Sequence, residues 1–262
     1  MDLQLKGRTY FITGGSRGIG KEIVVSLLQE GAQVGTCSRS KPDLETLRNS
    51  LPKPLQANLY TAQCDIRNAE ALQATVNSTA KELAQLDGVV ANAGYGTTGG
   101  VLQTPPADYT SQFELKVLGT LNLVNAALPY LLKSDSGRIV IINATTSEFP
   151  DPQMAAVSAS RAALAQIAKL LAAELASNQI CVNTINLGVI DTARQIARYQ
   201  ASQSNLPYQD WLKSEAQRRN IPFNRLGKPT EVAPAVLFLL SPLSSYTTAT
   251  TLNLTGAQNT TT

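Results

Sequence analysis

The segment Thr13-Gly14-Gly15-Ser16-Arg17-Gly18-Ile19-Gly20 constrains the fold of this chain more than any other stretch. It follows the apolar run 9–13 and opens the helical pattern 19–29, so glycines join a strand to a helix. Glycine permits a tight turn and close approach of backbone to ligand, while the free N–H groups and positive dipole end of the helix favour an anion. A strand, a glycine loop and a helix start in that order make a cradle for the pyrophosphate of a dinucleotide. Its expected contacts are Gly14, Ser16, Arg17, Gly18, Ile19 and Gly20.

The remaining pattern continues this alternation. Short apolar or β-branched runs at 9–13, 33–37, 59–64, 88–92, 138–143, 180–186 and 251–254 are expected strands. Apolar residues recur at three and four in 19–29, 69–86, 107–132, 155–176 and 230–240, the expected helices. Strand and helix alternating throughout imply an α/β fold, a doubly wound Rossmann-type domain whose seven-stranded parallel sheet is flanked by helices. With 262 residues, 43% hydrophobic and 16% charged, one domain over 1–262 is expected. Gly31 is placed to cap the first helix, and Ser136-Gly137 to turn the chain into the fifth strand. The polar stretch 192–222, with Tyr199, Pro207, Tyr208 and Trp211, is either a mobile insertion beside the substrate site or a surface helical pair. The threonine-rich end, 260–262, is expected to fray.

Composition removes several classes of function. The chain has no histidine, so imidazole is absent as base, proton shuttle and metal ligand, and no metal site is expected. Cys37, Cys64 and Cys181 fit no metal or redox spacing and read as small buried hydrophobes. The net charge of +3 is spread along the chain, which argues against nucleic acid. Residues 1–8 do not resemble a signal peptide, and no apolar run reaches the ~20 residues of a membrane helix, so a cytoplasmic protein is expected.

At the end of the second strand an acidic residue would bind the ribose hydroxyls of NAD. This chain has Ser38-Arg39 there, with Arg17 in the loop. Two guanidinium groups suit a 2′-phosphate, so NADP(H) is the expected cofactor.

These features together resemble the short-chain dehydrogenase/reductase family over essentially the whole chain. Residues 13–20 are similar to its T-G-x-x-x-G-I-G loop and Asn92-Ala93-Gly94 to its N-A-G strand end. Gly137-Arg138-Ile139-Val140 resembles the lead into its catalytic serine, and 221–232 its P-x-x-R-x-G-x-P-x-E-V segment. The resemblance implies that Asp65 and Ile66 contact adenine, that Asn92, Ala93 and Gly94 line the cofactor, and that Gly188 and Thr192 lie beside the nicotinamide. It also implies a homodimer or homotetramer.

The catalytic positions depart from that pattern. The family uses a tyrosine acid/base, a lysine four residues on, a serine and an asparagine. Carried over by spacing, these become Val157, Arg161, Ala144 and Lys116. Leu187 stands for a proline, and Thr255-Gly256-Ala257 for D-G-G. Alanine and valine cannot donate a proton, so the usual mechanism is lost.

A reductase without the tyrosine remains possible if hydride adds to an activated double bond or a ketone and a cation stabilises the developing charge. Lys116 is the expected cation, unless it is a solvated helix lysine; Arg161 either assists or braces its helix. Arg194 can clamp a substrate carboxylate, and Thr145, with Ser147, Tyr95 and Thr192, can supplement the site. The same departures resemble an atypical branch that includes the tetrahydrotyrosine-forming reductase of bacilysin biosynthesis and, by analogy, aeruginosin pathways. Two other readings stay open: a catalytically inactive NADP(H)-binding subunit or sensor, and a 3-oxoacyl or alcohol dehydrogenase with displaced catalytic residues.

Overall fold

Runs this short, apolar on both faces, satisfy their backbone groups only by pairing with one another beneath covering helices. The computed structural model describes residues 1–258. Within them β1 (Thr9–Thr13), β2 (Gln33–Ser38), β3 (Leu59–Gln63), β4 (Gly88–Ala91), β5 (Arg138–Ala144), β6 (Cys181–Leu187) and β7 (Thr251–Leu254) form one sheet. Its order is β3-β2-β1-β4-β5-β6-β7, and every pairing is parallel. The order reverses between β1 and β4, which opens a crevice at the carboxyl ends of those strands, where ligands bind in open α/β sheets.

Alternation along β1 divides the core. Tyr10 and Ile12 pack with Ile23, Val24 and Leu27 of α1 (Gly18–Gln29). Phe11 faces the other way, into the layer that includes Leu72 and Val76 of α4 (Ala69–Glu82). Two short helices between these, α2 (Lys41–Asn49) and α3 (Lys53–Gln56), are additions to the sequence expectation. Gly31 takes φ +77° just past α1, the left-handed turn expected of it.

Two expected helices change shape. The pattern 69–86 ends as a helix at Glu82, because Ala84 adopts φ +66° and turns the chain toward β4. The pattern 107–132 is three pieces: α5 (Pro106–Phe113), a π-helical turn at Glu114–Leu118, and α6 (Gly119–Leu131). A π-helical turn adds a residue to the helical repeat and re-aims its side chains, and such turns are frequent at functional sites. Gly119 follows it where a Cβ would lie 2.7 Å from the Ile66 side chain, so only glycine lets the helix approach there.

The stretch 192–222 contains a helical pair, α8 (Ala193–Ala201) and α9 (Tyr208–Arg218), while α7 (Ala155–Leu175) and α10 (Pro229–Leu240) cover the sheet. Tyr199, Tyr208 and Trp211 pack on one another, with ring centroids 5.2 to 6.1 Å apart. Glu215 on α9 pairs with Arg198 of α8 at 3.7 Å and with Arg218 at 2.7 Å. Residues 260–262 lie outside the described residues. Among those described, no helix is long and apolar enough to cross a membrane, and no group of His, Cys, Asp and Glu could hold a metal ion.

Candidate active site

The glycine loop is built by its neighbours. Asn92 donates from Nδ2 to the carbonyls of Thr13 (3.0 Å) and Gly14 (3.2 Å). The Thr13 hydroxyl accepts from the backbone N–H groups of Asn92 (3.0 Å) and Ala93 (3.1 Å), tying β1 to β4 at the crevice. Gly15 N–H is held by Thr36 Oγ1 at 3.1 Å. Gly14, at φ +70°, comes so close to the segment just past β4 that a Cβ would lie 2.9 Å from Ala93 Cα. Gly18, at φ +57°, instead faces open space, with the Thr192 side chain the nearest group at 3.8 Å. Ser16 is buried and Arg17 exposed at the start of α1, with Ile19 half-buried and Gly20 packed beneath the loop. This cradle, closed below by side chains and open above toward Thr192, fits a dinucleotide pyrophosphate.

The ends of β2 and β3 lie beside it. Ser38 Oγ accepts from Ser40 N–H at 3.2 Å, and the Arg39 guanidinium sits over the Tyr95 ring, 5.6 Å from its centre. Asp65 is engaged by Arg67 through three side-chain bonds and a backbone bond, and Arg67 holds its carboxyl below the usual range. Ile66 is buried and its carbonyl accepts from Asn122 at 3.0 Å. Cys37 and Cys64, far apart in sequence, come together here; each is the largest influence on the other, lowering the Cys64 thiol to about 7 and, with burial, raising that of Cys37, while Cys64 Sγ donates to the Asp65 carbonyl at 3.5 Å. Nothing in their spacing showed this, because adjacency came from the β2–β3 pairing.

Two of the four carried-over positions, Lys116 and Arg161, form a cluster of cations with Arg194. Lys116, within the π-helical turn, is buried to 3% exposure, which settles the solvated alternative against it. Its Nζ donates to the Tyr95 carbonyl at 2.9 Å and to Gln112 Oε1. Burial, with Arg161 and Arg194 nearby, pushes the amine down to about 7. Arg161 is half-buried; its Nη1 donates to the Ile142 carbonyl and to Asn143 Oδ1, both at 3.2 Å, so it braces the end of β5. Burial, then Arg194, lowers its pKa to about 10.

Arg194 is exposed at the start of α8 and faces Gly96, as Val157 does: a Cβ at Gly96 would lie 3.4 Å from Arg194 Nη2 and 3.3 Å from Val157 Cγ2. Gly94 is beside Arg161: a Cβ at Gly94 would lie 4.0 Å from Arg161 Nη2. Thr145 is half-buried in the turn after β5. In that turn Ser147 donates to the Ala144 carbonyl at 2.8 Å, and Glu148 accepts from Asn186 at 2.9 Å. Gly188 packs against Thr255, with a Cβ there 3.0 Å from Thr255 Cα, so the departures at Leu187 and Thr255 fall at one contact. Gln112 escaped the sequence reading, although its position four residues before Lys116 was the available signal.

A family model described as enoyl-(acyl carrier protein) reductase matches residues 14–256. The chain belongs to the short-chain dehydrogenase/reductase family. It is 32% identical to isoepoxydon dehydrogenase of Aspergillus clavatus over 255 residues, 96% of this chain and 95% of that protein. An NADPH-bound short-chain oxidoreductase of Pseudomonas aeruginosa PAO1, described as containing an atypical catalytic center, superposes with a TM-score of 0.90 at 32% identity and 95% coverage of each chain. The L-sorbose reductase of Gluconobacter frateurii, complexed with NADPH and L-sorbose, gives 0.94 at 25% identity over all of both chains. As a family member the chain is an oxidoreductase in type, with a seven-stranded parallel sheet flanked by helices in the family arrangement.

Proposed function

We propose that this family member is an NADPH-dependent reductase working without the tyrosine acid/base. It adds hydride to an activated double bond or ketone of a small biosynthetic substrate that carries a carboxylate. One observation carries the reading: the buried Lys116 amine faces Arg161 and Arg194, and among the described residues no carboxylate pairs with any of the three. Clustered positive charge without a carboxylate costs stability unless an anion uses it.

The backbone of residues 14–20 would hold the pyrophosphate, Arg17 and Arg39 a 2′-phosphate, and Asn92, Ala93, Gly94, Gly188 and Thr192 the remaining cofactor. The bound nicotinamide supplies hydride. The chain's own residues then do two things: Arg194 orients the substrate carboxylate, and the Lys116 ammonium stabilises the oxygen on which charge develops. Arg161 fixes the end of β5, and Thr145 offers a hydroxyl at the mouth. Val157 and Ala144 leave an apolar wall where the family has its acid and serine. The apolar side chains Phe113, Leu118 and Leu170, exposed on packed helices, support a homodimer or homotetramer.

The test is NADPH oxidation with matched enones and ketones bearing or lacking a carboxylate. Turnover is expected with the carboxylates, and Lys116→Ala and Arg194→Ala are expected to lower kcat/KM by roughly a hundredfold or more. NADPH binding with no turnover on any of them sinks the proposal in favour of an inactive cofactor-binding subunit.

A further inference from the structure

Gln112 is the unexplained member of this cluster. Its side chain is fully buried on α5, and its Oε1 accepts from Lys116 Nζ. Its Nε2, equally buried, has no hydrogen-bond partner. Buried amide donors are almost always paired, so an orphan of this kind marks a group that finds its partner in another state of the site. Among the described residues the titrating group hydrogen-bonded to its amide is Lys116, whose other contact, the Tyr95 carbonyl, accepts and cannot donate.

We propose that Gln112 is a positioning residue that governs the proton on Lys116, turning its amide as the lysine passes from ammonium to amine. In the ammonium state Lys116 uses two of its three N–H bonds on the Tyr95 carbonyl and Gln112 Oε1. The third remains for substrate. When that N–H bond breaks and its proton passes to the substrate oxygen, the electron pair stays on Nζ. The neutral amine is then an acceptor, and a half-turn of the Gln112 amide presents Nε2–H to it. Water restores the proton between turnovers. This inference rests on the reading of Lys116 as the catalytic cation and adds that the same group is the proton donor.

The surroundings support it. The groups facing Lys116 from other elements are the Tyr95 carbonyl, Arg161 on α7 and Arg194 on α8; none is acidic. Both arginines favour the neutral amine, so the Gln112 oxygen and the Tyr95 carbonyl are what sustain the ammonium form. Burial and those arginines hold the amine near neutrality, where proton transfer in either direction is accessible.

The experiment follows the Lys116 side-chain carbon resonance by NMR through a pH titration of lysine-labelled protein, assigned by its loss in Lys116→Met. Gln112→Glu keeps the shape but sets a carboxylate against the ammonium; the midpoint is expected to rise by a unit or more. Gln112→Met removes donor and acceptor at similar volume, and the midpoint is expected to fall. The alkaline limb of kcat is expected to move with each. Circular dichroism selects variants that fold, and either alone decides the question because the two shifts have opposite sign. An unmoved midpoint in a folded variant overturns the role of Gln112. A midpoint that moves while kcat keeps its pH profile overturns the proton transfer. Normal turnover by Lys116→Ala overturns the underlying reading of the lysine, whatever the resonance does.

Discussion

The Arg39 guanidinium lies 5.6 Å from the centre of the Tyr95 ring, and the carbonyl of the same Tyr95 accepts from Lys116 at 2.9 Å. One loop residue after β4 therefore touches both the expected phosphate-binding arginine and the buried lysine. Tyr95 is further fixed by its hydroxyl, 2.9 Å from Ser111 Oγ on α5. A cation over an exposed ring contributes about 0.5–1 kcal/mol, roughly two- to fivefold in an equilibrium. Tyr95→Ala is expected to weaken binding of 2′,5′-ADP by that factor and leave 5′-AMP unchanged, whereas Tyr95→Phe keeps both. Calorimetry with the two nucleotides checks it, and equal weakening of both would show that the ring merely shapes the loop.

The two strained loop glycines are expected to differ. Gly14 and Gly18 both have positive φ, where an L side chain costs roughly 1–2 kcal/mol. Gly18 has open space above it, but a Cβ on Gly14 meets Ala93 Cα at 2.9 Å, a backbone atom just past β4 that cannot swing aside. Gly14→Ala is expected to lower the melting temperature clearly more than Gly18→Ala does. Gly18→Ala is expected to act mainly on NADPH affinity, since its methyl would stand in the open cradle beside Thr192. Thermal melts and fluorescence titrations of both variants measure the contrast. Equal melting losses would contradict the tight β1–β4 approach.

How much of this was legible depends on whether a feature is local. The strands could be placed because their burial is written in adjacent residues: Thr9 to Thr13 is apolar or β-branched throughout and occupies β1 without adjustment. The glycine loop was equally legible, since positive φ and a helix start leave a signature within eight residues. The π-helical turn was not, because its apolar spacing over 107–132 looks like one continuous helix, and the close approach of Gly119 to Ile66 just after it involves a residue from another crossover. The Lys116 environment was half legible. Spacing located the residue, while its burial comes from Gln112 and the loop at Tyr95, joined only by folding. The polar stretch 192–222 suggested either a mobile insertion beside the substrate site or a surface helical pair; in the fold Tyr199, Tyr208 and Trp211 cement α8 to α9.

The segment before α10 carries its own pH dependence. Arg225 forks onto Glu231 at 2.8 and 2.7 Å, and the Lys228 backbone N–H adds a third bond at 2.8 Å. These partners, Arg225 first, bring the Glu231 carboxyl down to about 2. The folded pKa lies below the unfolded value of about 4.3, so this stabilisation is complete above that value and fades as pH falls toward 2. The groups are largely exposed, which keeps the effect small and salt-sensitive. Glu231→Gln is expected to melt lower than the parent chain at pH 7, with the difference closing near pH 2. A gap that persists unchanged into acid would assign the effect to packing.

Lys116 gives the opposite sign at the other end of the scale. An unfolded lysine titrates near 10.4, and burial with two nearby arginines lowers the folded amine to about 7. Between these values the unfolded chain holds a proton that the folded chain has released, so unfolding takes up a proton and stability rises with pH. Below about 7 both states are charged, and the folded protein bears the whole cost of an enclosed ammonium without a carboxylate. Lys116→Met, similar in length and uncharged, removes that cost. The variant is expected to exceed the parent in urea midpoint at pH 6 by a margin worth a few kcal/mol, and the margin is expected to shrink steadily toward pH 10. Chemical denaturation of both proteins across that range measures it, and a margin independent of pH would mean that Lys116 keeps its proton in the fold. The same titration bears on chemistry: a pH-dependent margin is the outcome that the role proposed for Lys116 toward an anion or in proton transfer requires.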